Sequence, residues 1–338
     1  MPDSLTKRRI DEGTLSALVR EAFGPAARVS ESAELNDGFF NTAFRVLLDD
    51  GRDVVLKISP APGTALLTYE RDIMRAEAVF FQEAGTSGIP LPEVLYTGFG
   101  RTTLDGDFIV LSALDGVTWD SVSRALTDQD KAALHTELGR MVAHLHTVTN
   151  AVGRFGYPAV SELSAPSWPE AFSAMLDGLL RDAQAFDVAL PLPARRLRDL
   201  ARENSGSLAE ITEPTLVHFD LWPGNIFVSA PDGGTPRRIT GLIDGERAIW
   251  GDPLMEFVGM DVFGRADQHP DVVAGYLGAG GRMERGESAD RRLALYHLYM
   301  HLLLLIEMAP RGYTDPAYVE WIGGESPQRV LAAADRLA

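Results

Sequence analysis

The chain has 338 residues, 45% of them hydrophobic, which is enough to bury the core of one large domain or of two lobes. The sequence contains no cysteine, which excludes disulfide bonds, thiolate metal sites and a cysteine nucleophile. The formal net charge of −17 disfavours nucleic acid as a partner, because phosphate contacts require a Lys/Arg surface.

The first third of the chain is rich in predicted strands. Residues 42–48 and 53–58 are separated by an Asp/Gly turn and predict a β-hairpin. Residues 67–84 carry apolar side chains at helical spacing and predict one helix. The apolar run 108–114 predicts a buried strand. These elements are sufficient for a small sheet with a helix packed on it.

The rest of the chain is mainly helical in pattern. Apolar stripes predict helices that include residues 134–145, 172–186 and 195–209. One β-like patch interrupts them, formed by residues 225–229 and 238–244 around a Pro/Asp/Gly turn. We therefore expect an α+β fold, with an N-terminal lobe at residues 1–114 that includes a hinge near 112–116. A helical lobe at residues 115–338 would follow.

The longest apolar stretch, residues 293–308, is shorter than a bilayer span and contains His297, His301 and Glu307. It therefore predicts a buried helix with the two histidines in the core. The charged first residues lead into residues 10–13 without the apolar segment of a secretory signal. We expect a soluble cytoplasmic protein that does not bind membranes.

The segment with the clearest chemistry is His218-Phe-Asp220-Leu-Trp-Pro-Gly-Asn225. It lies between two apolar strand-like runs, so a loop can present both polar side chains on one side of a cleft. Asp220 is suited to accept the proton of an attacking hydroxyl group. Asn225 offers a neutral oxygen to Mg²⁺, which prefers hard oxygen ligands from few protein groups.

A second ligand for the same ion follows from the predicted hairpin. Its return strand ends at Asp244 and brings that carboxylate back towards Asn225. Gly251-Asp252-Pro253 follows shortly afterwards. A His-x-Asp-x-x-x-x-Asn pattern, a hairpin and Asp-Gly form the catalytic signature of the protein-kinase-like superfamily.

With these motifs, residues 30–310 resemble the aminoglycoside phosphotransferase family of antibiotic and small-molecule kinases. The resemblance implies a protein-kinase-like bilobal fold, Asp220 as catalytic base, and Asn225 and Asp244 as Mg²⁺ ligands. The sequence departs from the family pattern at Phe219, where glycine is usual, and at Trp222, where histidine is frequent. These departures alter the expected shape of the acceptor site.

The predicted sheet supplies the cation that phosphoryl transfer requires. Lys57 is a lone lysine in an apolar strand, and strand alternation places it on the same face as Val55. Val55 would cover the nucleobase, and Lys57 would reach the phosphates. A buried ammonium requires a carboxylate partner. The family pattern selects Glu77 for that role, and Glu70 is predicted to be a solvated residue.

The resemblance also indicates the remaining contacts to ATP or GTP. Gly38 and Asn41 lie in the segment expected to pass over the phosphates, and glycine allows close approach of the backbone. The base of the nucleotide is expected near Leu111, Ala113 and Leu114.

Four further polar residues surround the catalytic segment. In the superfamily, the histidine equivalent to His218 holds the catalytic loop by hydrogen bonds. Asp252 is expected to cap the helix that begins near Pro253 and to brace the same loop. Glu256 and Asp261 follow on that helix and are possible contacts for a cationic acceptor.

The sequence leaves the acceptor open. The resemblance favours a hydroxyl of an antibiotic, and the acidic balance mildly favours an amine-bearing one such as an aminoglycoside. Choline-, homoserine- or sugar-type metabolites remain alternatives, as does a non-catalytic nucleotide-binding protein. A metal-dependent phosphohydrolase using His218, Asp220 and Asp244 is a third reading, weakened by the lack of further ligands at suitable spacing. The chain is expected to be a monomer or a homodimer.

Overall fold

The computed structural model describes residues 5–35, 40–230 and 237–338. The first part of the chain forms a five-stranded antiparallel sheet in the order β1-β2-β3-β5-β4. Its strands are β1 Val29–Leu35, β2 Thr42–Leu48, β3 Asp53–Ile58, β4 Val94–Gly98 and β5 Phe108–Ser112. Two helices pack on this sheet, α1 Glu12–Phe23 and α2 Ile73–Ala84.

The predicted hairpin is confirmed as β2 and β3, with Ala43 opposite Lys57. The predicted alternation along β3 is also confirmed. Val54, Leu56 and Ile58 are buried in a small core with side chains of α1. Val55 packs against the larger core on the other side. The sheet thus directs Lys57 away from α1 and towards the second lobe.

The predicted helix over residues 67–84 is too long at its start. Only a single 3₁₀ turn, Thr68–Glu70, precedes α2, and Asp72 breaks the helix with a φ of +55°. The prediction that Glu70 is solvated is wrong, because Glu70 is 1% exposed. Its carboxylate accepts the Leu67 N–H at 2.7 Å and binds Arg311 at 2.7 Å. The ion pair with Arg311, which is distant in sequence, therefore fixes the Thr68–Glu70 turn as a separate element before α2.

The second lobe is mainly helical. Its helices are α3 Trp119–Val122, α4 Asp128–Leu145, α5 Trp168–Ala185, α6 Ala194–Glu203, α7 Ser205–Leu208, α8 Leu254–Met260, α9 Pro270–Gly278, α10 Glu287–Arg311 and α11 Pro316–Leu337. The predicted helix 195–209 is interrupted at Asn204, whose side chain binds the carbonyls of Leu200 and Leu337. The expected two-lobed, protein-kinase-like α+β arrangement is thus observed.

Two small sheets support the loops of this lobe. The predicted β patch forms one of them, in the order β11-β10-β6, from β6 Val117–Thr118, β10 Ile226–Val228 and β11 Ile239–Leu242. A second sheet, in the order β8-β7-β12-β9, consists of β7 Phe155–Gly156, β8 Ser164–Ala165, β9 Thr215–Val217 and β12 Ile249–Gly251. The expectation of a single β patch is therefore wrong, because strands of two or three residues are too short to show a period.

The chain crosses from the first sheet to the second lobe over residues 113–116. The Ala113 N–H donates to Asp53 in the first sheet, and the Thr240 hydroxyl donates to the Asp115 carbonyl in the second lobe. Gly116 has a φ of +111°, and a Cβ there would lie 2.3 Å from the Val228 carbonyl oxygen. Glycine is therefore required where the crossover passes β10.

Helix α10 is the central core element of the second lobe. It contains the predicted apolar stretch, and it is the one helix within residues 5–35, 40–230 and 237–338 that has the length and apolarity to cross a membrane. Since 83% of its most apolar window is buried inside the protein, it is a core helix, as predicted. On this helix Arg292 and Tyr296 bind the buried Asp252 carboxylate at 2.8 and 2.7 Å.

Replacing Arg292 with methionine should lower the free energy of unfolding by about 3 kcal/mol, because Asp252 would stay buried without its cation. Arg195 on α6 provides the control, since its side chain is 93% exposed and Arg195→Met should cost less than about 1 kcal/mol. Urea unfolding of both variants measures the difference. Equal losses would contradict a structural role for the Arg292–Asp252 pair.

Candidate active site

A buried ion-pair cluster joins the two lobes. The Lys57 Nζ on β3 lies 2.7 Å from the Glu77 Oε1 on α2 and 2.5 Å from the Asp244 Oδ1 after β11. Glu77 is therefore the carboxylate partner of Lys57 that the sequence analysis selected. Since Lys57 and Asp244 are in direct contact, the sheet and the catalytic half of the chain open onto one crevice.

The cluster perturbs the ionisation of its members. Burial alone would lower the pKa of Lys57, but the carboxylates of Asp244, Glu77 and Glu246 raise it above its ordinary value. Burial raises the pKa of Glu77 to about 7, against the opposing effect of Lys57. Burial also acts to raise the pKa of Asp244, yet the adjacent ammonium holds it below its usual range. Lys57 is thus charged at neutral pH.

Glu246 is a member of the cluster that the sequence analysis missed. One carboxylate oxygen from each of Glu77, Asp244 and Glu246 lies within 4.8 Å of the other two. Asn41, which was predicted to be near the phosphates, donates its side-chain N–H to Glu246 at 2.5 Å. The only advance indication was the position of Glu246, two residues after Asp244 in an otherwise apolar segment.

The donor set fits a divalent cation. Three carboxyl groups face one ammonium, so the cluster carries a net charge of −2 when all of them are ionised. Burial and the Asp244 carboxylate raise the pKa of Glu246 well above its ordinary value, which favours its neutral form until a cation binds. The Glu77 Oε2 and the Asn41 Oδ1 are buried without a hydrogen-bond partner among the described residues. Buried oxygen atoms with excess negative charge are the environment that hard cations such as Mg²⁺ require.

Asn225, the other predicted ligand, lies next to this cluster along the hairpin. Ile226 pairs with Leu242, and the Ile243 N–H donates to the Asn225 carbonyl at 3.0 Å. The Asn225 side-chain N–H donates to the Asp220 carbonyl at 2.9 Å. The hairpin therefore brings the Asp244 backbone alongside Asn225, as the sequence predicts. Its role as a ligand stays a prediction.

Asp220 is paired with an arginine that the sequence analysis missed. The Arg247 Nη1 lies 3.5 Å from the Asp220 Oδ1, and the Arg247 Nη2 lies 2.8 Å from Glu307 on α10. Burial raises the pKa of Asp220 above its ordinary value, and the Arg247 guanidinium opposes that rise. Arg247 therefore favours the carboxylate form of Asp220, the form able to accept a proton.

His218 and Glu256 hold the loop of residues 218–225, which is called the catalytic loop for its predicted role. The His218 Nε2 lies 2.8 Å from the Ile243 carbonyl, and Phe219 has a φ of +65°. The Glu256 carboxylate accepts the backbone N–H groups of His218 at 2.8 Å and of Phe219 at 3.0 Å. Glu256 is fully buried, so the prediction that it faces an acceptor is wrong. It fixes the loop instead.

Asp252 and Asp261 differ in their surroundings. Asp252 caps α8, as predicted, because its Oδ1 accepts the Leu254 N–H at 2.9 Å. Its other carboxylate oxygen binds Arg292 and Tyr296 on α10. The prediction that Asp252 braces the catalytic loop is therefore wrong. Asp261 is exposed at the end of α8, and its carboxylate folds against Gly264. An acceptor contact by Asp261 stays a prediction.

The predicted nucleobase contacts lie at the crossover between the lobes. Val55 is paired with Leu111 across β3 and β5, and Leu114 packs against Gly241 of β11. Ala113 lies between them, with its N–H bound to Asp53. These residues lie where the first sheet meets the second lobe. Gly38 is outside the described residues, and the nucleotide contacts stay predictions.

Comparison with known proteins agrees with this geometry. Residues 32–296 match the sequence model of the phosphotransferase enzyme family. No curated protein sequence matches the chain.

Three solved structures share the fold. A predicted fructosamine-3-kinase from Thermobifida fusca is 20% identical, with a TM-score of 0.66 over 97% of this chain and 99% of that chain. A predicted aminoglycoside phosphotransferase from Ralstonia eutropha is 15% identical, with a TM-score of 0.64 over 97% and 98%. The APH(2")-IIa phosphotransferase in complex with streptomycin and ATP is 16% identical, with a TM-score of 0.57 over 96% and 99%.

Arg247→Gln should raise the pKa of the Asp220 carboxyl by about one unit or more, because it removes the cation that favours the charged form. Arg247→Lys keeps the charge and should leave most of the effect in place. Carbon-13 NMR titration of the carboxyl groups measures the pKa, with Asp220→Asn used to assign the signal. An unchanged titration in Arg247→Gln would show that the pair has no electrostatic role.

Proposed function

This chain belongs to the phosphotransferase enzyme family, and we propose that it transfers the γ-phosphoryl group of ATP or GTP to a hydroxyl group of a small molecule. The observation that carries the proposal is the contact of Lys57 with both Glu77 and Asp244, beside the loop that presents Asp220. It supplies a phosphate-binding cation, an acidic metal cluster and a general base in one crevice.

Lys57 holds the α- and β-phosphates in this proposal, with Glu77 fixing the direction of its ammonium group. Asp244, Asn225 and Glu246 would hold a Mg²⁺ ion, and Asp244 already lies against Lys57 where the phosphates would be bound. When bound there, Mg²⁺ neutralises charge on the phosphate oxygens and orients the γ-phosphoryl group. Catalysis then consists mainly of positioning and charge stabilisation.

Asp220 acts on the acceptor. Its carboxylate accepts the proton of the acceptor hydroxyl as the hydroxyl oxygen forms a bond to the γ-phosphorus. The bond from that phosphorus to the β–γ bridging oxygen breaks, and the nucleoside diphosphate leaves with the electron pair. Arg247 supports this step, because it keeps Asp220 ionised before transfer.

The acceptor class in this proposal is a hydroxylated natural product, such as an antibiotic, that the enzyme inactivates. The fold is shared with an enzyme solved with streptomycin and with one named for fructosamine, so the acceptor can be an antibiotic or a metabolite. A non-catalytic role is less well supported, because Lys57, Asp220, Asn225 and Asp244 are all present and held together by contacts. The need for ATP is consistent with the expected cytoplasmic location.

An ATP- and GTP-consumption screen over hydroxylated antibiotics and metabolites tests the function. We expect Mg²⁺-dependent release of nucleoside diphosphate that at least one acceptor accelerates, with one phosphate added to one hydroxyl of that acceptor. Excess EDTA should abolish the turnover, and mass spectrometry and NMR of the product identify the hydroxyl. Release of inorganic phosphate without a phosphorylated product would contradict the proposal and favour a hydrolase.

Two substitutions separate the proposed roles of the site. Asp220→Ala should lower kcat roughly 10²- to 10⁴-fold with nucleotide affinity unchanged, because it removes the base but no phosphate contact. Lys57→Ala should weaken nucleotide binding and turnover together. Asp50→Ala, at an exposed turn of the first sheet, is the control and should change neither. Comparable turnover in Asp220→Ala would refute its assignment as the base.

A further inference from the structure

A row of aromatic rings leads from the catalytic loop along the second lobe. Burial is the main cause that raises the pKa of the Tyr318 hydroxyl on α11 to about 12, and the Asp220 carboxylate adds a smaller contribution in the same direction. The ring of Trp321, 47% exposed, lies 6.1 Å from that of Tyr318 and 4.4 Å from that of Phe263. The Phe263 ring lies 5.4 Å from His301. The rings form a continuous surface between α11 and the loop after α8.

The row ends at a cavity of about 180 Å³ between that loop, α10 and α11. The residues around it are aromatic, small or basic, and no carboxylate occurs among the described residues that line it. They are Phe263, Gly264, Arg265, His297, His301, Arg329, Ala332, Ala333 and Arg336. The lining carries three arginines in a chain with a net charge of −17. The adjoining depression shares Arg265, His297 and Arg336 with the cavity and adds Glu287 and Asp290.

The polar groups of the cavity are incompletely satisfied. Arg265 is bound to Asp267 at 2.7 Å, whereas Arg329 is 3.6 Å from its nearest carboxylate, Glu325. Arg336 has no carboxylate within 4.0 Å among the described residues. The Val262 carbonyl is near the fully buried His301, yet neither ring nitrogen completes a hydrogen bond.

The two histidines contribute donors without charge. Burial lowers the pKa of His297 to about 4 and that of His301 to about 3, so both rings are neutral at physiological pH. A neutral imidazole carries one N–H and can donate to an oxyanion. The guanidinium groups then supply the charge, and planar guanidinium matches the geometry of carboxylate and phosphate.

We propose that this cavity binds a carboxylate or phosphate group of the acceptor, with the apolar body of the acceptor lying along the row of rings. The proposal rests on the proposed function, since it places the acceptor hydroxyl at Asp220. Tyr318 and Arg329 are eleven residues apart on α11, or about 16 Å at about 1.5 Å per residue. The acceptor is therefore an elongated, amphipathic anion that extends along this part of α11 between its hydroxyl group and its charge.

This assignment differs from the amine-bearing acceptor that the net charge suggests. Glu256, one of two acidic side chains expected to meet a cation, is buried and bound to the catalytic loop. Arg247 instead places a cation beside Asp220. The side chains that line the cavity are thus aromatic, small or basic, which disfavours a polycation. Two carboxylates lie beside this path, Glu307 in its pair with Arg247 and Asp261 against Gly264.

Direct binding to the full chain, without nucleotide, tests the cavity separately from catalysis. 3-Phenylpropionate, inorganic phosphate and 3-phenylpropylamine are the probes, measured by isothermal titration calorimetry. We expect 3-phenylpropionate to bind, phosphate to bind more weakly, and the amine not to bind. Equal binding of the amine and the carboxylate would overturn the proposal.

Variants locate the site. Arg329→Gln with Arg336→Gln should weaken 3-phenylpropionate at least tenfold, and Trp321→Ala should weaken it but leave phosphate unchanged. The matched control is Arg195→Gln with Arg202→Gln, which removes the same charge from exposed arginines of α6 and should have no effect. Unchanged binding of 3-phenylpropionate in the Arg329/Arg336 variant would overturn the proposal that this cavity is the anion site.

Kinetics then connect the cavity to the acceptor found in the screen. In the Arg329/Arg336 variant, the KM for that acceptor should rise at least tenfold with little change in kcat. If the variant loses 3-phenylpropionate binding as expected but the KM for the acceptor is unchanged, the cavity binds an anion that is not part of the acceptor. That result would overturn the assignment of the cavity to the acceptor. Failure of the screen with intact 3-phenylpropionate binding would count against the proposed function and not against the cavity.

Discussion

The structure depends on one electrostatic constraint, the partial neutralisation of two buried carboxyl groups and one half-buried carboxylate by a single ammonium group. Glu77 comes from α2, whereas Asp244 and Glu246 come from one turn after β11, and among the described residues Lys57 is the cation in direct contact with Glu77 and Asp244. The cluster closes the crevice between the lobes, and its carboxyl groups outnumber its ammonium group three to one. A cluster with that imbalance would be stabilised by a further cation, and in the proposed function the same groups would release Lys57 to a nucleotide. The proposed function therefore couples stability to ligand binding at this point.

Short-range patterns carried most of what the sequence predicted correctly. The β2–β3 hairpin, the strand that bears Lys57 and the apolar α10 each depend on a local period or turn. The positions of Asp220 and Asp244 follow from spacing within one continuous segment. Glu77 required the family pattern, because helical spacing alone allowed Glu70 equally well.

The residues that were missed depend on contacts between distant parts of the chain. Arg247 and Glu246 follow Asp244 closely, but only the packing of α10 and of Asn41 shows where they point. Glu70 and Glu256 looked exposed in sequence because the partners that bury them, Arg311 and the catalytic-loop backbone, are far away along the chain. The periodicity of a sequence indicates which side chains are apolar and face the core. It does not indicate which charged side chains are buried in ion pairs or hydrogen bonds with distant residues.

Phe219 shows how closely the core and the catalytic loop are connected. A glycine adopts a positive φ at little cost, whereas the positive φ of Phe219 costs about 1–2 kcal/mol of conformational energy. In return, its ring is fully buried 6.1 Å from that of Tyr299, and the Phe219 backbone fits closely against Gly259. The buried Phe219 side chain thereby anchors the loop in the hydrophobic core. Any substitution that repacks those interior positions would therefore move the backbone of Asp220, the next residue in the loop.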